Sequence, residues 1–296
     1  MRPPLLFAVS TLGRLPPLER LLGSLDGQLG PEDRIAIVAQ DHLDEVRALS
    51  ERFRSVFGDR LRVDASARGA SLGRNAAVAL HADLPDDALV MFPNDTTWYP
   101  PGSVDAIASG VGDAPAGAVH VMTDIGPRFV LPPARTALDT RTVWRVIEMS
   151  LVLRLGLFRA VGGFDEDIGT GASTPWQAGE VTDLLLRVLG GRPELALSFA
   201  WIHDPSAHVG GVEETSGLTR AERTRKLRAY GRGIGHVYRS HPFPVWQRWG
   251  FVAAGALIGV RRGGEYAVRD GLTAFAGRWE GVTGRVRGNA PTAVRR

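Results

Sequence analysis

Short apolar runs, each cut off by polar residues, recur through the first two-thirds of the chain. Leu5–Thr11 turns polar at Ser10-Thr11-Leu12-Gly13-Arg14, and residues 35–39 end at Gln40-Asp41. Leu61–Ala65 follows, and residues 88–92 stop at Pro93 and give way to Asn94 and Asp95. These lengths and abrupt ends suit buried strands, and residues 118–122 supply a fifth. Helical spacing fills the gaps. Pro16-Pro17 opens a helix with Leu18, Leu21, Leu22 and Leu25 on one face, and residues 43–57 read as another. Gly69-Ala70-Ser71-Leu72-Gly73 leads into a third helix carrying Arg74 and Asn75. The alternation predicts an α/β fold with a mostly parallel central sheet and helices on both faces. Such sheets bind ligands beyond the carboxyl ends of their strands, where Thr11, Arg14, Gln40, Asp41, Arg74 and Asp95 are expected to share one edge.

The pattern then loosens. Residues 123–142 mix Pro127, Pro132 and Pro133 with charge and read as a mobile loop, residues 149–155 as a strand, and 162–171 (GGFDEDIGTG) as irregular. Residues 178–189 predict a helix with Val181, Leu184, Leu185 and Val188 toward the core. Glu180, Asp183 and Arg187 then fall on the opposite face, which predicts a solvated face with Arg187 as the partner of the carboxylates. Residues 195–202 read as a last strand, ending at His203-Asp204-Pro205 with His208 close behind. Beyond 218, residues 219–239 predict a basic helix interrupted by Gly231, Gly233 and Gly235. Residues 245–262 follow, with Trp246, Trp249 and Phe251 near Arg248, Arg261 and Arg262. That composition suits either an interfacial helix facing anionic lipid or an ordinary helix packed on the body. The expected division is 1–217, a basic helical extension at 218–284 and a disordered tail at 285–296.

Charge sharpens this division. From residue 220 onward there are 16 Lys+Arg against 4 Asp+Glu, whereas the preceding residues carry 19 against 28. An acidic body with a basic tail points to an anionic partner. No recognised nucleic-acid module accompanies the basic region, so lipid is expected rather than nucleic acid. Cysteine is absent, which excludes disulfides and thiolate metal sites. The N-terminal MRPPLLFAVSTLGR lacks the pattern of a signal peptide, and no apolar run is long enough to span a bilayer, so a cytoplasmic location is expected, with the inner membrane face as the place of any lipid contact.

The stretch 88–101 carries the most chemistry. A carboxylate at Asp95, at the tip of a buried strand, could hold a divalent cation against a diphosphate; it could equally make an Asx-turn. Four segments together resemble the family-2 glycosyltransferases of the GT-A fold: VSTLGR at the first strand, GASLGRNAAVAL, FPNDTTWYPPGS, and VGGFDEDIGTG followed by GEVTDLLLR. The likeness spans roughly residues 5–208. It implies an inverting transfer of a sugar from a nucleotide-sugar donor, UDP-linked by expectation, to a saccharide or lipid-linked acceptor. Thr11, Arg14, Gln40 and Asp41 would contact the nucleoside, and Ser71, Arg74 and Asn75 would lie near ribose and phosphates. Asp95 would bind Mg²⁺ or Mn²⁺ with His203 as second ligand and His208 as substitute. The cation neutralises the leaving diphosphate, and a general base takes the acceptor's proton.

Two positions depart from the family pattern. Asn94-Asp95-Thr96 stands where a run of aspartates is common, which weakens the cation site while leaving Asn94 able to hydrogen-bond a ribose. Glu180-Val181 stands where the family has Glu-Asp, and the missing Asp is often the base; Glu180 becomes the first candidate and Asp183 the second. These departures motivate an alternative, a non-catalytic member that binds nucleotide or partners an active transferase. A third reading takes Ser71 as the nucleophile of a serine hydrolase completed by Asp204 and His208.

Overall fold

A computed structural model of the chain describes residues 2–212, 218–258 and 267–287. It divides into two compact units. The first comprises Met1–Arg68, Leu72–Gly163 and Leu184–Glu214, and the second Gly69–Ser71, Phe164–Asp183 and Thr215–Arg296.

The first unit is built on a seven-stranded sheet. Strands β1 (Leu5–Thr11), β2 (Arg34–Ala39), β3 (Leu61–Ala65) and β4 (Leu89–Met91) pair in parallel in the order β3-β2-β1-β4. Helices α1 (Leu15–Leu25), α2 (Leu43–Arg52), α3 (Arg54–Phe57), α4 (Ala70–Ala79) and α5 (Ser103–Val111) alternate with them, as the apolar runs predict. Leu18, Leu21, Leu22 and Leu25 are buried against Leu5, Phe7, Val9, Ile35 and Ile37, and removal of this apolar surface from water is the main stabilisation of the unit. Beyond β4 come β5 (Ala116–Ala118), β6 (His120–Thr123), β7 (Gly126–Pro127) and β8 (Leu151–Arg154). After β8 come helix α6 (Leu155–Ala160) and then strands β9 (Ala200–Trp201) and β10 (His208–Gly210). The large sheet continues β8-β5-β9, with β8 antiparallel to both β4 and β5. A small second sheet has the order β10-β6-β7.

Four local expectations change. The helix over 43–57 breaks at Phe53, whose N–H reaches back only to Ser50 O (3.0 Å) before its own carbonyl restarts the turn. The strand over 118–122 is two strands in different sheets, separated at Val119, whose N–H goes to Ser150 O. Residues 195–202 form a 3₁₀ turn, Pro193–Ser198, and the short β9, because Pro193 pre-sets the tight turn. Residues 123–142 contain β7 and an Asx-type turn in which Asp139 accepts from the N–H groups of Arg141 and Thr142 at 2.8 Å each.

In the second unit, α8 (Arg220–Ser240) runs unbroken through its glycines. It is followed by α9 (Val245–Ala256) and by α10 (Val268–Thr283), a helix the periodicity of the tail does not announce. The glycines are contact points rather than breaks. A Cβ on Gly235 would lie 2.7 Å from Arg278 O, and one on Gly281 would lie 2.2 Å from Arg232 O. Most of the expected 285–296 tail, and residues 259–262 of the expected interfacial helix, lie outside the described residues. No helix among the described residues is long and apolar enough to cross a membrane.

Candidate functional site

At the carboxyl ends of β1 and β4, the parallel pairing of these strands sets Thr11 and Arg14 beside Asp95. Asp95 is 3% exposed. Its Oδ2 accepts from the Thr11 hydroxyl at 2.8 Å and from Arg14 Nε at 3.1 Å, and a terminal nitrogen of Arg14 binds Oδ1. Gly13, at φ +82°, makes the turn possible: a Cβ there would come within 2.6 Å of His42 Cβ. Thr11 also accepts from Gly13 N–H at 3.0 Å. The pair is asymmetric, since the Arg14 side chain is 60% exposed.

Asn94 joins a second, adjoining network. Its backbone bridges Ser10 on β1, its Nδ2 donates to Glu148 Oε1 at 2.7 Å, and its Oδ1 accepts from Arg74 at 3.1 Å. Burial raises the Glu148 carboxyl, but the Arg74 charge and the Asn94 amide outweigh it and hold the group below the usual carboxylate range. Gln40 donates to Ala67 O at 3.0 Å, and Asp41 pairs with Arg68 at 2.7 Å. Gly73 fits α4 closely to the β1 tip: a Cβ there would stand 2.3 Å from Ser10 Oγ and 2.7 Å from Gln40 Nε2. Asn75 lies against Gly163, where a Cβ would be 2.7 Å from its Oδ1.

The second unit carries Ser71, Glu180 and Asp183. Helix α7 (Glu180–Gly191) begins there with Glu180 and Asp183 in its first turn, where the helix dipole favours carboxylates. The expected solvated face is not observed: Glu180 is 9% and Asp183 4% exposed, while Val181 is buried as predicted. Asp183 Oδ1 lies 2.8 Å from His241 Nε2. Ser71 Oγ and Glu180 both lie against Gly169, which has φ +123°. Ser71 donates to Ile168 O, and Gln177, fully buried, donates to Ala172 O (2.9 Å) and Thr174 O (2.6 Å), which fixes the acidic glycine-rich loop. Arg187 donates to Val161 O and Gly163 O at 2.7 Å.

The histidines sit elsewhere in their own arrangement. His203 Nε2 is 2.9 Å from Pro132 O, and its ring meets the edge of His120 at 5.6 Å. His208 Nδ1 is 2.8 Å from Pro205 O, and Asp204 caps Ser206 N–H, so Asp204 and His208 do not form the paired acid and base a hydrolase triad needs. Among the described residues no group of three or more His, Asp or Glu side chains gathers as a metal site.

No protein-family model and no curated protein sequence matches the chain. Solved structures do. The chain superposes on S. aureus TarS 1-349 with a TM-score of 0.55 at 13% identity, covering 96% of this chain and 92% of that one. One structure of that protein holds UDP-GlcNAc. It also superposes on the mannosyltransferase PcManGT from Pyrobaculum calidifontis, in complex with GDP-Man and Mn²⁺, with a TM-score of 0.59 at 13% identity over 97% and 89% of the two chains. The fold is GT-A.

Two residues that sequence reasoning passed over stand out in this GT-A chain. Glu148 begins the short 3₁₀ turn Glu148–Ser150 that leads into β8, and because β8 runs antiparallel to β4 this turn lies beside the β4 tip and Asn94. Strand direction cannot be read from the apolar run itself. His241 follows α8 just before Pro242 and is brought to Asp183 by tertiary packing alone. A hard cation asks for one or two carboxylates and completes its shell with phosphate oxygens and water. Asp95 is one such carboxylate, paired here with the exposed Arg14, while His203 is held on Pro132 O.

Proposed function

We propose that the chain is an inverting glycosyltransferase that takes a nucleotide-sugar, UDP-linked by preference, and transfers the sugar to a saccharide or lipid-linked acceptor. The observation that carries the reading is the Thr11–Arg14–Asp95 cluster at the tips of two parallel strands in a GT-A sheet. A diphosphate arriving there attracts the Arg14 guanidinium, which is exposed enough to move and pairs bidentately with phosphate as readily as with carboxylate. Asp95, released, would hold Mg²⁺ or Mn²⁺, which neutralises charge on the departing nucleoside diphosphate. Thr11, still bonded to Asp95, keeps the carboxylate oriented.

Arg74, bridged through Asn94 to Glu148, places a second buried cation near the β4 tip, and we assign it to ribose or phosphate recognition with Asn94, Gln40, Asp41 and Asn75. Ser71 is assigned to holding the glycine-rich loop through Ile168 O. Glu180 is assigned as the base that takes the proton from the acceptor hydroxyl, and Asp183 is the second candidate. His203 and His208 are left without a role in cation binding.

A second reading has a specific observation behind it. Asp95 already has its charge compensated by Arg14 through both oxygens, so Arg14 could serve as the phosphate's positive partner with no cation at all. Release of nucleoside diphosphate from a panel of UDP- and GDP-sugars, with Mn²⁺ and with EDTA, tests both. Turnover that needs the cation supports the first reading; turnover unchanged in EDTA supports the second. Nucleotide binding without turnover on any donor overturns both in favour of a non-catalytic nucleotide-binding protein.

A further inference from the structure

Helices α9 and α10 bury the wrong residues for a protein surface. Their exposed positions are Val245, Trp246, Trp249, Gly250 and Ala253 on α9, with Leu257 just after it, and Val268, Arg269, Leu272, Phe275 and Trp279 on α10. Val268, Leu272, Phe275 and Trp279 recur every three or four residues, so they form one stripe along the helix. Trp249 meets Trp279 at 5.2 Å, which joins the two stripes into a single apolar face. Trp246 is 68% and Leu272 62% exposed. Singly exposed apolar residues are ordinary, but a continuous face of this kind marks an interaction site.

Beneath it, buried charges lie among small and apolar residues. Asp270 is fully buried, Glu280 is 2% exposed, and Arg232 of α8 is fully buried and bonded to Glu280 at 2.5 Å. The helices approach through Gly231, Gly235, Gly277 and Gly281, as helices do where apolar burial between them is not the driving force. Among the described residues of 245–287, Asp270 and Glu280 are the acidic side chains, and both point inward. The exposed charges are Arg269, Arg285 and Arg287, all positive.

We infer that this α9–α10 face docks on an anionic lipid surface. Tryptophan and phenylalanine suit headgroup depth, arginines suit anionic headgroups, and helices too short to span lie in the interface plane. Charge argues against a second copy of the chain as occupant, since a self-complementary contact would bring Arg269, Arg285 and Arg287 onto their like-charged copies, with no exposed acid among the described residues of 245–287 to pair them. The inference is independent of the transferase reading, because it uses none of its residues.

Co-sedimentation of the full chain with phosphatidylcholine vesicles, with and without phosphatidylglycerol, tests it. Binding is expected to the phosphatidylglycerol vesicles, to weaken with salt, and to fall at least about tenfold in W246S/L272S, whose side chains are exposed and whose thermal unfolding should be unchanged. A milder variant, Trp246→Tyr, should retain most binding, which separates interfacial insertion from misfolding. Absence of binding to anionic vesicles overturns the inference. So does a concentration-dependent dimer in sedimentation velocity that the double variant abolishes, because a second copy then covers the face. Equal, salt-insensitive binding to both vesicle types overturns the anionic requirement.

Discussion

Arg14 grips both carboxylate oxygens of Asp95, yet one partner is 60% exposed and the other 3%. Such a pair holds a buried charge in check with a side chain that is free to leave. Arg14→Ala removes the counter-ion and should weaken binding of UDP by roughly ten- to a hundredfold, the loss of about one charge-assisted hydrogen bond. Arg14→Lys should recover little, since a point charge cannot reproduce a two-pronged contact. Calorimetric titration with UDP checks this, and unchanged affinity in Arg14→Ala would remove Arg14 from donor recognition.

Glu180→Gln preserves shape at a buried helix start and removes the proposed base. Turnover should drop by roughly 10²- to 10⁴-fold while the UDP affinity stays as in the parent chain. Asp183→Asn separates the two candidates. With His241 at 2.8 Å, Asp183 is expected to position its surroundings, so its loss should reduce turnover less than that of Glu180. A larger loss in Asp183→Asn than in Glu180→Gln exchanges their roles.

The parallel core was legible because each buried strand is a short uninterrupted apolar run closed by polar residues, which left Thr11, Arg14, Gln40 and Asp95 at strand tips. Thr11, Arg14 and Asp95 do meet. What the chain order hid was direction and partnership. Glu148 reaches Asn94 only because β8 is antiparallel, and Asp183 reaches His241 across 58 positions. The glycines of α8 misled for a related reason. Their low helix propensity reads as interruption, while close approach of α10 makes small residues a requirement there. The carboxylates Glu180 and Asp183 were expected to be solvated because helical spacing reports which residues share a face, not what covers that face.

Gly73 tests how precisely the β1 tip must fit α4. An added methyl would press on Ser10 Oγ and the Gln40 amide, within 2.3 and 2.7 Å. Gly73→Ala should cost about 1–3 kcal/mol of stability from overpacking, offset in part by better helix propensity. Because Gln40 is assigned to donor recognition, UDP binding should weaken as well. A chain with parental melting temperature and parental UDP affinity would show that this approach is loose.

His81 sets a pH dependence. It is fully buried with Nε2 3.3 Å from Ile35 O, and burial lowers its pKa below the ordinary imidazole value despite that carbonyl. Below about pH 6.5 the unfolded chain binds a proton that the folded chain refuses, so stability falls as the pH is lowered. The slope from this one group is at most about 1.4 kcal/mol per pH unit, ending at the folded pKa. His120 and His236 are shifted in the same direction and add to it. Melting temperatures at pH 7.5 and 5.5 should therefore differ less in His81→Gln than in the parent chain, and an unchanged difference would assign the slope to the other two.

Glu280 is the hinge of the α8–α10 contact. It accepts from Arg228 and, at 2.5 Å, from Arg232, whose side chain is fully buried. Burial alone would raise the Glu280 carboxyl, but the two guanidiniums more than compensate and lower it. Removing that charge strands Arg232 without a counter-ion in a site closed to water, so Glu280→Gln should destabilise the C-terminal helices by about 3–5 kcal/mol. Replacing both partners, as in R232M/E280L, should cost clearly less than the single change, because no unpaired charge remains. Arg228→Met should be milder still, since Arg228 is partly exposed and leaves Arg232 in place. Hydrogen exchange locates the effect: protection should fall in α8 and α10 while β1, β2 and β4 keep theirs. If the single and double variants were equally destabilised, packing rather than charge pairing would hold the two helices together.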